Sequence, residues 1–152
     1  MYSGGIKAEG GRAIGWREKE DIGPESRPYL FAVRQDIKLL DKHIVATMGK
    51  ALSSVVTKHR ITPQQIDWFL PHYSSAYFRP KFYEEMKRIG FHISYDKWFT
   101  NLASKGNTGS AAIFIILEEI FKSGNLDKGQ KLLCFIPESG RFSHCFMLVT
   151  VV

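Results

Sequence analysis

Two polar residues stand beside long apolar runs in this sequence. His72 closes DWFLPH (67–72), and Asn107 lies in SKGNTGSAAIFIILEEIF (104–121), where two glycines flank it before the chain turns almost wholly apolar. A neutral imidazole donates a hydrogen bond through one ring nitrogen, and a primary amide donates through its NH2. Aimed at one oxygen, the two would stabilise negative charge developing there, which suits acyl-transfer or decarboxylative chemistry. The pattern predicts that each residue follows a strand and precedes a helical segment, at the edge where open α/β sheets gather ligands. A plainer reading fits the same residues: a structural histidine, and a Gly-Asn-Thr-Gly turn with Asn in the left-handed region. Spacing leaves both open.

Other arrangements carry less. Ser74 and Ser75 lie near His72 without a G-x-S-x-G elbow around either, and GNTGS lacks the spacing of a phosphate-binding loop. His144 neighbours Cys145 in a β-rich run, where adjacent side chains point to opposite faces, which argues against a Cys-His dyad. His43, His59 and His92 have no ligand-like neighbours, so no metal site is expected.

The elements that must position these residues follow from periodicity. Ile37, Leu40, Ile44, Met48, Leu52, Val55 and Val56 recur at three- and four-residue steps, predicting an amphipathic helix over 36–58. Thr62, Pro63 and Gln65 form a capping-box pattern over one turn, ahead of a short buried strand at 66–71. Pro80 suits the first turn of a helix to about Ile89, which Gly90 stops. A strand is expected over 97–102, a helix over 109–122, and a closing hairpin from 131–136 and 142–151 across PESGR. Residues 1–28 hold six of the 13 glycines and read as a short strand around Ile6 followed by an irregular connection. Strands alternating with helices and then a hairpin predict an α/β fold with a mixed sheet of about five strands and helices on its faces, in a single domain over 1–152. The helix at 109–122 is apolar around nearly its whole circumference, so it should be covered on both sides.

The totals bound the class. With 152 residues, 44% hydrophobic, 24% charged and 13% aromatic, the chain is expected to fold as one globular domain with a real core. No stretch has the length of a membrane span, and the N-terminus lacks the apolar segment of a secretory signal, so a cytoplasmic protein is expected. Cys134 and Cys145 sit in apolar runs, which suits buried reduced thiols. The net charge of +6 favours acidic partners. With no recognised motif, nucleic acid is not expected among them.

Taken in order, DWFLPH (67–72), KGNTGSAA (105–112), GNLDKGQKLLCF (124–135) and PESGRF (137–142) resemble the C-terminal half of the β-ketoacyl-ACP synthase III family, within the thiolase-like superfamily. The resemblance runs from about residue 4 to 152. It implies the C-terminal half of a thiolase-like fold and decarboxylative Claisen condensation of an acyl thioester with malonyl-ACP. In that family a Cys takes the acyl group from coenzyme A, while a His and an Asn promote decarboxylation and hold the resulting oxygen. His72 and Asn107 match the pair. The family's Cys lies in an N-terminal half that has no counterpart here, so the chain is expected to be an excised piece or a truncated product, inactive by itself.

Further roles follow from the resemblance. Ser75, Gly140 and Phe142 are implied substrate-binding positions, and Arg79, Lys81, Lys87 and Arg88 an implied docking patch for an acidic acyl carrier protein. A solvated helix face accounts for those four equally. No cofactor is implied beyond acyl-CoA and malonyl-ACP as substrates. The family's Pro-His-Gln-Ala-Asn is replaced by PHYSS, and PESGR replaces a more glycine-rich loop, which implies a divergent branch serving secondary lipid or polyketide synthesis. A non-catalytic carrier-binding or assembly module of the same fold is the alternative. Either way, helix 109–122 is expected to meet the missing half or a second copy of the chain.

Overall fold

The computed structural model describes residues 2–3, 34–35, 37–139 and 142–152, and the chain divides into two compact units. The first comprises residues 1–44 and 138–143. In it β1 (Tyr2–Ser3) pairs in parallel with β2 (Arg34–Gln35), and α1 (Ile37–His59) begins, with Leu40 and Ile44 buried. His43 and Phe142 bring their rings to 6.1 Å. The strand expected around Ile6 lies outside the described residues.

The second unit, residues 45–137 and 144–152, carries the rest of α1, then β3 (Trp68–Pro71), α2 (Phe78–Arg88), the one-turn α3 (Leu102–Lys105), α4 (Ala112–Lys122), β4 (Lys131–Glu138) and β5 (Ser143–Thr150). The capping-box residues set a short 3-10 turn, Pro63–Gln65, in which Gln65 Oε1 accepts from the Thr62 amide at 2.9 Å. Gly90 ends α2 with φ +75°, as a left-handed C-terminal stop requires.

β3, β4 and β5 lie side by side in that order. β3 and β4 run parallel with Phe69 opposite Leu133 and Leu70 opposite Cys134, and the amides of Gly129 and Val151 bond across the base of the β4–β5 hairpin. Strand alternation sorts the side chains. Leu70, Leu132 and Cys134 face α4 and pack with Ile113, Ile116 and Ile120. Phe69, Leu133 and Phe135 face the other way, and Phe135 meets Phe82 of α2 edge-on at 5.3 Å. Helices therefore cover both faces of a mixed sheet.

Three expectations need correction. The sheet has three strands among the described residues, not about five. The strand expected over 97–102 shrinks to one bridge, Trp98 to Phe69, because a 3-10 turn (Tyr95–Lys97) precedes it and Asn101 opens α3 directly after. Trp98 holds the sheet edge by its ring instead, at 4.9 Å from Phe69, with Nε1 donating to the Ile93 carbonyl at 2.9 Å. Cys145 is exposed rather than buried, because β5 is an edge strand and alternation turns this side chain outward.

Candidate active site

His72 continues the β3 ladder beyond its last residue, its amide donating to the Phe135 carbonyl at 2.9 Å. Tyr73, next in the chain, lies 6.5 Å ring to ring from Phe82 of α2. Alternation then assigns His72 to the opposite face, the one α4 covers. His72 is 8% exposed, and burial lowers its pKa, so the imidazole is neutral at pH 7 and has one N–H to donate.

Asn107 sits in the turn that opens α4. The strand expected before it is absent, and the one-turn α3 takes its place. Gly106 (φ +71°) and Gly109 (φ +60°) adopt left-handed backbone on either side, which explains the glycine pattern around the Asn. The Gly109 amide donates to Asn107 Oδ1 at 3.0 Å. This Asx turn occupies the acceptor end of the amide and leaves the NH2 end, on an exposed side chain, to act as donor.

The crossover brings both residues to one edge of the sheet. α4 packs on β3 and is followed by β4, which starts beside the first residue of β3. A helix joining two parallel strands must run back against them, so the N-terminal end of α4 lies toward the carboxyl edge of β3. His72 and the turn that carries Asn107 thus lie toward the same edge of the sheet.

A brace around this turn was not legible from spacing. Asn101 Nδ2 donates to Glu119 Oε2 at 2.6 Å, and Lys105 Nζ approaches Glu119 Oε1 at 3.3 Å, tying both ends of α3 to α4. Glu119 is the signal that could have found it: a carboxylate in an apolar helix that is only partly exposed.

The family model for the 3-oxoacyl-[acyl-carrier-protein] synthase III C terminal matches residues 56–140, more than half of the chain, and spans both His72 and Asn107. The chain belongs to this synthase III family. It is 27% identical over 120 residues to a β-ketoacyl-[acyl-carrier-protein] synthase III of Clostridium kluyveri, covering 79% of this chain and 35% of that one. It is 32% identical over 92 residues to the synthase of Neisseria gonorrhoeae, covering 60% of this chain and 27% of that one. The solved 3-oxoacyl-[acyl-carrier-protein] synthase III of Aquifex aeolicus superposes with a TM-score of 0.65 at 24% identity, over 77% of this chain and 36% of that one. The Pseudomonas aeruginosa enzyme also gives 0.65, at 17% identity, over 78% and 35%. These likenesses show the thiolase-like α/β fold. The chain spans about a third of the length of the synthase III relatives it matches.

The remaining expected site residues separate. Ser75 is exposed and shapes the entry to α2: its Oγ accepts from the Tyr77 amide at 3.3 Å and its carbonyl from Phe78 at 3.1 Å. Phe142 is buried in the first unit at φ +55°, and Gly140 lies outside the described residues. The four cations of α2 divide between two sides of the helix. At about 100° per residue, Lys81 and Arg88 fall together, well apart from Arg79. Arg79 lies 4.7 Å over the Tyr95 ring, which stacks on Tyr83 at 4.0 Å, while Lys87 pairs with Glu84 at 3.2 Å. Lys81 donates to the Tyr77 hydroxyl at 2.5 Å, and Arg88 grips Glu85 with two bonds of 2.7 Å.

Cys134 has no catalytic setting. Burial pushes the Cys134 thiol up to about 12, so it stays protonated and non-nucleophilic.

Proposed function

We propose that this chain supplies the His–Asn half of a Cys–His–Asn condensing site in a synthase III-type enzyme, the Cys coming from a separate thiolase-type half. What supports it is a buried neutral imidazole at the end of β3 and, in the turn that opens α4, an exposed amide whose oxygen is already engaged. In this reading the carboxylate C–C bond of a malonyl thioester breaks and CO2 leaves. The electron pair passes to the thioester oxygen, where His72 and Asn107 donate to the enolate. The enolate carbon then attacks the acyl group on the Cys, whose thiolate departs. Neither donor changes protonation, which fits a histidine that burial keeps neutral.

The malonyl group arrives on an acyl carrier protein, whose acidity suits the basic side chains of α2. Arg79 and Lys87 hold one side of that helix and Lys81 and Arg88 another, so a docked carrier engages one pair at a time. Ser75, Gly140 and Phe142 line the substrate path in this reading, and no cofactor is required.

The test uses this chain joined to, or mixed with, a Cys-bearing thiolase-type half. Asn107→Ala should slow condensation by roughly 10²–10³-fold while sparing acyl loading of the Cys. Equal loss of both steps would mean that Asn107 does not act on the condensation oxygen.

A further inference from the structure

The C-terminal part of α1 is strongly one-sided in charge. From 45 to 60 the sequence carries Lys50, Lys58, His59 and Arg60 and no Asp or Glu. Lys50, Ser53, Ser54, Thr57 and Lys58 recur at three- and four-residue steps, which places them along one exposed stripe of the helix. Against this stripe lies Arg88, at the end of α2, and between them runs an open groove of about 670 Å³.

The facing acid is already engaged. Glu85 packs its carboxylate against Gly49 in the floor of the groove and holds Arg88 through two bonds of 2.7 Å. Lys50 and Lys58 make no salt bridge among the described residues. Lys58, in the last turn, also complements the carbonyl end of the helix; Lys50, two turns earlier, gains nothing from that end.

We infer that this groove docks an acidic helix of a partner protein. Lys50 and Lys58 stand roughly 12 Å apart along the axis, the rise of eight residues. Carboxylates at i, i+4 and i+8 of a second helix span the same distance, so the end charges meet the two lysines. The central one faces the Ser54 and Thr57 hydroxyls, which can donate to it. An open groove with two lysines eight residues apart along its α1 wall matches such a row better than one compact anion. Condensing activity does not enter the inference, which stands or falls apart from the roles of His72 and Asn107.

Fluorescence anisotropy tests it on the full chain with labelled helical peptides. One carries Glu at i, i+4 and i+8; a second has the same composition with its Glu grouped at one end. The spaced peptide should bind, weakening with salt, and should bind more tightly than the grouped one. The double variant Lys50→Ala, Lys58→Ala should lose roughly tenfold in affinity, and Lys128→Ala, at an exposed turn away from the groove, should lose none. Circular dichroism checks that each variant folds, which the exposure of these side chains favours. Equal binding of the two peptides, or equal loss in the Lys128 variant, would reduce the groove to unspecific charge and overturn the inference. Displacement of the spaced peptide by equimolar inorganic phosphate would show a compact-anion site and overturn it as well.

Discussion

Burial sets the charge state of His72, and that is measurable. A histidine whose folded pKa lies below its unfolded value takes up a proton on unfolding. The stability this brings is present above the unfolded pKa of about 6.5 and is lost as pH falls toward the folded value. NMR titration should give the His72 imidazole a midpoint below 6.5, and His72→Gln should flatten the acid limb of the stability profile. A midpoint at or above 6.5 would remove the argument for a neutral donor. Cys134 and Cys145 offer an independent check of the packing. Iodoacetamide near pH 8 should label Cys145 in the folded protein and spare Cys134 until it unfolds. The buried place of His72 was legible in the sequence, because a polar residue closing an apolar run is conspicuous, and the turn at Asn107 was legible from its two flanking glycines. The Asn101–Glu119–Lys105 brace was not, since its members are 18 and 14 residues apart and only packing of α3 on α4 unites them.

Among the elements, the α1–α2 crossing is the most exacting contact. A Cβ on Gly49 would lie 1.8 Å from Glu85 Oε1, and Glu85 is buried and held by Arg88. Gly49→Ala should therefore destabilise the fold by about 1–3 kcal/mol in urea unfolding, although alanine is the better helix former. Adding Glu85→Ala should recover much of that loss by removing the atom in the way; additive losses would refute the steric account. α1, α2, α4, β3 and the hairpin were legible from periodicity and stop residues, as their apolar spacing matches what they bury. The 97–102 segment misled because Trp98 and Phe99 have strand-like side chains, whereas one-turn helices begin directly after Ser94 and Asn101 and leave the strand no length. No helix among the described residues is long and apolar enough to cross a membrane.

For the molecule as a whole, the outer side of α4 is an exposed apolar surface. Its inner face is buried in the core, yet Phe114 is 68% and Phe121 57% exposed. Leu117, between them at helical spacing, is half-buried against the core, so Phe114 and Phe121 form the outer stripe. The all-round apolar character of this helix was visible in the sequence, and the exposure of Phe114 and Phe121 agrees with it. In sedimentation velocity the chain should self-associate through this stripe, and Phe114→Lys with Phe121→Lys should return it to monomer. A stable monomer of the unaltered chain would contradict that expectation. The central claim, that this chain brings the His and Asn to a Cys held elsewhere, is tested most directly by reconstitution. Condensation of an acyl thioester with malonyl-ACP is measured for this chain alone, for a Cys-bearing thiolase-type half alone, and for the two together. Turnover should require both and fall sharply with His72→Ala; robust turnover by this chain alone, or none from the pair once complex formation is verified, would contradict the account.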